Sequence, residues 1–247
     1  MAMENAGAVS GAGFFDLHNH ILWDVDDGAS SPVESLELVR GLMRLGFVGA
    51  APSPHSWSDR AECAARLNGL RELLAQNALS FSLAENAENV ASPEDVMALL
   101  DGRGRTVAGG RWFLMELPLA APVPALPNIL AMIARSNHSA LIAHPERCLH
   151  FQAAFDAAFE ALDAGAFLQL DVMSLAGAYG RRVQRLAEEL LDESAYAVAA
   201  TDIHSTRDLP ALTSSLFRLR ERVPDDEVTR LLTANPQRVL TGQAQLL

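Results

Sequence analysis

The feature that most limits what this chain can fold into is a unit repeated about seven times: a short apolar run, then a stretch whose apolar residues keep helical spacing. No long linker separates the units. Strands are expected to start at Phe14 and to cover residues 47–51, 79–83 (Leu79, Phe81 and Leu83 alternating), 112–115, 140–143, 167–172 and 196–200. Helices are expected from the capping box Ser31-Pro32-Val33-Glu34 to Gly46, over 59–76, behind Ser92-Pro93-Glu94-Asp95, and near 126–135, 152–164, 181–191, 209–222 and 225–232. A final short helix is expected after Asn235-Pro236. Strand-then-helix order of this kind implies a parallel α/β fold, and the number of units favours one irregular barrel over a doubly wound open sheet.

What distinguishes the chain is the content of the strand ends. The first run leads into Asp16-Leu17-His18-Asn19-His20, and on an extended strand residues i and i+2 share a face. The other runs lead into Ser53-Pro54-His55, Glu85-Asn86-Ala87-Glu88, Glu116-Leu117-Pro118, His144-Pro145-Glu146-Arg147 and Thr201-Asp202-Ile203-His204. Five of the seven histidines therefore fall at strand ends, which converge on one face of a barrel. His138 and His150 are read as ordinary surface or packing residues.

Mixed imidazole and carboxylate side chains suit zinc, manganese or iron, and eight candidates exceed what one ion uses. Two or three ions would absorb them, an arrangement suited to activating water and clamping a phosphoryl group. For Glu88 and Glu116 a buried structural ion pair is the alternative.

Composition narrows the function further. A net charge of −12 provides no electrostatic footprint for nucleic acid or an anionic membrane. No apolar run reaches the roughly 18 residues needed to span a bilayer. Residues 1–13 lack the pattern of a secretory signal and are read as a flexible extension ahead of one domain over 14–247. Cys63 and Cys148 suit a reducing cytoplasm, and neither opens a C-x5-R phosphate loop, because Gly69 and Ala154 occupy the arginine position.

The ordered set D-L-H-N-H, D-V-D-D-G, S-P-H, A-E, M-E-L-P, A-H-P-E-R and T-D-I-H resembles the PHP (polymerase and histidinol phosphatase) superfamily. Within it, H-N-H-I-L with V-D-D-G and I-A-H-P-E-R is similar to the bacterial capsular-polysaccharide (CpsB/CapC-type) protein-tyrosine phosphatases, from about Phe15 to Asn235.

The resemblance implies a distorted seven-stranded TIM-like barrel with a centre of two or three divalent ions at the carboxyl ends of its strands. Manganese is the first expectation, with iron, zinc or cobalt as others. His18, His20, His55, Glu88, Glu116, His144, Asp202 and His204 would be ligands. Asp27 would ligate or handle a proton beside the leaving oxygen, with a turn role as its alternative. Arg147 would hold phosphate oxygens, its alternative being a surface pair with Glu146. Arg207 is the nearest match to a second phosphate-holding arginine, closer to His204 than the family pattern. Asn86, Thr201 and Asp171 also depart from that pattern, and none removes a ligand.

The implied activity is hydrolysis of protein phosphotyrosine, on a bacterial tyrosine kinase that controls capsular or exopolysaccharide synthesis. The rivals are another phosphatase of the superfamily, such as one acting on histidinol phosphate, and a metal-stabilised scaffold protein with little turnover.

Overall fold

The computed structural model describes residues 13–247. The expected flexible extension lies, but for Gly13, outside the described residues. In chain order the elements are β1 (Phe14–Asp16), α1 (Pro32–Arg44), β2 (Phe47–Ala50), α2 (Arg60–Gln76), β3 (Ser82–Leu83), β4 (Asn89–Val90), α3 (Pro93–Leu100), β5 (Trp112–Glu116) and α4 (Leu126–Arg135). They continue with β6 (Ser139–Ala143), α5 (Leu149–Ala153), α6 (Asp156–Asp163), β7 (Phe167–Asp171), α7 (Arg181–Asp192), β8 (Tyr196–Ala200), α8 (Leu209–Arg222), α9 (Asp225–Thr229) and α10 (Asn235–Leu240).

All strand pairs are parallel, in a three-stranded sheet ordered β1-β2-β3 and a five-stranded sheet ordered β4-β5-β6-β7-β8. The expected parallel α/β fold is present, but in place of seven strands in one distorted barrel the described residues form two sheets with eight strands. Between the sheets run isolated bridges, Asn19 to Ile203 and His55 to Glu88. The ladders stop short because the chain leaves extended geometry just where the polar residues begin, as at His144 (φ 31°) and Asp202 (φ 48°).

β6 and β8 are buried along their whole length, as parallel strands covered on both faces must be. Alternation sorts the side chains of β5 and β6 into two cores. Phe113, Met115, Ala140 and Ile142 join the large core under the helices. Trp112, Leu114, Leu141 and Ala143 face the other way and pack with Phe15, Leu17, Val198 and Val239. This second core is a floor, and the polar strand ends stand on it.

Several expected elements are corrected. The strand expected over 79–83 is paired only at Ser82 and Leu83, and β4 has no apolar pattern by which it could be read. The helix expected over 152–164 starts at Leu149 and breaks at Ala154, whose φ of −147° and ψ of 104° are extended. The helix over 225–232 is α-helical only to Thr229 and then widens into a π turn. The capping box is half present: the Ser31 side chain accepts from the Glu34 N–H, whereas the Glu34 carboxylate accepts from Ser30 N–H and Ser30 Oγ–H.

Candidate metal centre

The end of β1 is built into the end of β8. Buried Asp16 accepts from Thr201 N–H at 3.0 Å and from its hydroxyl at 2.7 Å, and burial pushes its pKa up to about 6 in spite of these bonds. Asp202 N–H then donates to His18 O, and His20 N–H to Ile203 O, both at 2.9 Å. Four side chains separated by more than 180 residues of chain are brought together in this way: His18, His20, Asp202 and His204. At the second junction between the two sheets, Ser56 N–H donates to Glu88 O at 2.8 Å and brings His55 to Glu88. By strand alternation His144 follows Ile142 toward the helices; its left-handed backbone turns it inward instead.

His18 Nε2 lies 3.1 Å from Asp202 Oδ1 and 3.3 Å from Glu88 Oε1. His20 Nε2 is 3.4 Å from Glu88 Oε2, His55 Nδ1 is 3.2 Å from it, and His144 Nε2 is 2.9 Å from Glu88 Oε1. Asp27 Oδ1 approaches His55 Nε2 at 3.4 Å and His204 Nε2 at 3.5 Å. Glu116 stands at the edge, 4.0 Å from His144 Nε2. All eight expected ligands and Asp27 fall into four overlapping groups that could hold an ion: His20, Asp27, His55 and His204; His18, His20 and Asp202; His18, Glu88 and His144; His55, Glu88 and Glu116.

Two properties make this donor set fit metal ions. The ring nitrogens of His18, His20 and His55 that face the carboxylates, with Asp202 Oδ1, are buried without a hydrogen-bond partner, a costly state for polar atoms excluded from water. The outer nitrogens of two rings are fixed: His20 Nδ1–H donates to Asp26 at 2.7 Å and His204 Nδ1–H to Asp202 O at 2.7 Å, so each Nε2 faces the cluster. Electrostatics agree. Burial opposes a charged His18, yet Glu88 and Asp202 raise its pKa to about 9; burial also opposes charge on Glu88 and Asp202, and the histidines hold both well below the usual carboxylate range. Burial, then Glu88, pushes Glu116 up. The cluster calls for cations.

Arg147 ends a 3-10 turn over Pro145–Arg147. It does not pair with Glu146 as one expectation had it. Its Nη1 donates to Asp202 Oδ2 and lies 3.3 Å from Asp171 Oδ2, while the guanidinium stacks over Tyr179 at 4.2 Å from the ring centre. Arg207 is exposed on the turn Thr206–Asp208, and among the described residues its side chain makes no hydrogen bond or ion pair. His138 bonds to Ser136 Oγ and His150 Nδ1 accepts from Val123 N–H, both away from the cluster.

Sequence reasoning missed the residues that orient the cluster. Asp26 carries His20, caps Gly28 N–H at 3.0 Å and accepts from His55 N–H at 3.2 Å. The D-D-G motif held the signal, but only its second aspartate was given a role. Its glycine is a close-approach position, since a Cβ at Gly28 would lie 2.0 Å from His20 O. Gln169, two residues before Asp171, is the other such residue, its amide nitrogen 2.8 Å from His18 Nδ1.

The chain is similar to CapC of Staphylococcus aureus, 26% identical over 92% of this chain and 91% of that protein. It is 22% identical to the tyrosine-protein phosphatase YwqE of Bacillus subtilis, over 92% of each. A crystal structure from work on YwqE and on CpsB of Streptococcus pneumoniae, described as metal-dependent tyrosine phosphatases, superposes with a TM-score of 0.86 at 21% identity, covering 94% of this chain and 96% of that one. The family model for capsular polysaccharide synthesis, CpsB/CapC, matches residues 14–241, and the chain belongs to that family.

Proposed function

We propose that this protein is a metal-dependent phosphomonoesterase acting on phosphotyrosine in proteins, its substrate in the cell being a bacterial tyrosine kinase of capsular or exopolysaccharide synthesis. The observation that carries this reading is the set of four overlapping donor groups with unpartnered, buried ring nitrogens. Membership of the family and the relatives' activity as tyrosine-protein phosphatases supply the substrate class.

In this reading His18, His20, His55, Glu88, Glu116, His144, Asp202 and His204, with Asp27, hold two or three divalent ions, manganese being the first expectation. When bound, such ions lower the pKa of water and neutralise phosphoryl oxygens. Gln169 fixes the ring of His18 from behind, its amide Nε2 lying 2.8 Å from Nδ1, so that Nε2 of the ring is turned toward the carboxylates. Arg147, held flat by Tyr179 and aimed by Asp171, presents its fork to a phosphoryl oxygen. Asp27, 65% exposed at the rim, stands where a leaving phenolic oxygen would take its proton. Arg207, with no side-chain partner among the described residues, approaches the substrate from outside.

The balanced reaction joins a water oxygen to phosphorus and breaks the bond from phosphorus to the phenolic oxygen, leaving tyrosine and inorganic phosphate. No thiol takes part. Cys63 and Cys148 are buried, and burial pushes the Cys148 thiol up, which disfavours a nucleophilic thiolate. The two sheets act as one distorted barrel over 14–247. Among the described residues no helix is long and apolar enough to cross a membrane, and a cytoplasmic site of action is part of the proposal.

The test is metal analysis of the purified protein with turnover of a phosphotyrosyl peptide against a phosphoseryl peptide and histidinol phosphate. The expected outcome is bound divalent metal, and activity that chelation abolishes and manganese restores. Preference for histidinol phosphate would move the protein to the small-molecule rival; bound metal without hydrolysis would make it a scaffold.

A further inference from the structure

We infer that Trp57 is an aromatic platform for the phenyl ring of the substrate, and that it selects aryl over alkyl phosphate esters. The inference rests on the phosphatase reading and deepens it. Trp57 is 66% exposed, an unusual position for so large an apolar side chain. Its indole stacks on the imidazole of His55 with ring centres 3.9 Å apart and planes 14° apart. One face is thus committed to a candidate ligand, and the exposure of the residue leaves the other to solvent. The rest of the rim beside His55 is polar: Asp27 and the 28% exposed His204.

The segment that carries the indole is tied down on both sides. Ser56 N–H donates to Glu88 O at 2.8 Å, and Ser56 Oγ–H donates to Asp95 at 2.7 Å. Ser58 N–H donates to His55 O at 3.0 Å, and Ser58 Oγ–H to Val25 O at 2.9 Å. A held aromatic face costs little further ordering when a second ring meets it.

Geometry makes the occupant specific. A phosphoryl group held in the cluster must point its ester oxygen outward, because the inner core closes the floor below it. The group on that oxygen leaves past the rim on which His55, Asp27 and Trp57 stand. A phenyl ring there offers a flat π surface to the indole at the offset separations aromatic pairs prefer, about 4.5 to 7 Å between centres. The methylene of phosphoserine has no such surface and is too short to cover the indole.

The experiment uses the metal-loaded protein with Trp57→Ala and Trp57→Phe. Expected for Trp57→Ala is a rise of about five- to tenfold in KM for a phosphotyrosyl peptide at little-changed kcat, the size of one aromatic pair. Metal stoichiometry and kcat/KM for a phosphoseryl peptide should move by less than about twofold, and Trp57→Phe should restore most of the loss. A peptide carrying the non-hydrolysable phosphonate analogue of phosphotyrosine, titrated by calorimetry, should weaken in parallel. Equal losses on aryl and alkyl substrates, or loss of metal in Trp57→Ala, would overturn the inference, since Trp57 would then only support His55. If the parent protein hydrolyses no phosphomonoester, the phosphatase reading fails by itself, and the phosphonate decides about Trp57: binding that depends on the indole supports the platform, and binding indifferent to it overturns it.

Discussion

Glu88 and Glu146 are both buried glutamates among polar groups, with 1% and 0% exposure, and they differ in how those groups are satisfied. Glu146 Oε1 accepts from Asp171 N–H at 3.0 Å and Ser174 Oγ–H at 2.8 Å, and its Oε2 from Tyr196 O–H at 2.9 Å. Every donor there is a neutral group that belongs to the fold. Glu88 instead faces four imidazoles, three of which, His18, His20 and His55, leave the nearby ring nitrogen without a hydrogen bond. Burial raises the pKa of Glu146, whereas around Glu88 the histidines overcome burial and hold the carboxylate charged. A satisfied polar network fixes a loop; an unsatisfied one of equal burial is a site waiting for a ligand. The Glu146 network does fix a loop, the one that aims Arg147.

The strongest way to break this comparison is Glu88→Gln. It keeps the shape, removes the charge shared by two of the donor groups, and should lose metal together with about 10³-fold or more in kcat/KM, several kcal/mol of transition-state stabilisation. Circular dichroism should show an unchanged fold. A Glu88→Gln protein with full metal content and activity would place Glu88 with Glu146 as a structural residue.

Arg147→Ala lies between the two regions. Its guanidinium touches Asp202 of the cluster but is not itself a ligand type, so metal stoichiometry should hold while kcat/KM falls by roughly 2 to 4 kcal/mol, the range for removing one oxyanion donor. Metal depletion in this variant would show that the Asp202 carboxylate depends on Arg147, and the phosphate-holding role would pass to Arg207.

Tyr196→Phe should have the smallest effect and sharpens the contrast from the other side. It deletes one of the three bonds to Glu146 and should cost about 1 to 2 kcal/mol in urea unfolding, with metal content and KM unchanged. A loss of metal here would mean that the two networks are one.

How far the site was legible in the sequence can be argued from individual residues. His18 and His20 were readable because period-two alternation puts i and i+2 on one face, and Glu116 because it sits at the end of an apolar run. His144 was readable only as a strand end, since strict alternation points it the wrong way and its inward turn depends on a left-handed backbone at φ 31°. Asp26 and Asp27 are adjacent carboxylates with equal local signals; one orients His20 from behind and the other faces His55 and His204 across the rim. No local rule separates them. Trp57 carried no signal, because an exposed indole beside a histidine looks like any loop aromatic until the stacking distance is known.

The sequence by itself determined the parallel α/β order, the run of metal-type side chains at strand ends, and the exclusion of a cysteine phosphate loop. These follow from periodicity and spacing, which act over a few residues. Tertiary structure decided that the strands divide into two sheets joined by single bridges, that Asp16 locks β1 to Thr201 some 185 positions away, and that Arg147 pairs with Asp171 and Asp202 and not with its neighbour Glu146. The physical reason is that hydrogen bonds and ion pairs inside a low-dielectric interior are settled by which groups burial brings into contact, and neighbours in space are not neighbours along the chain.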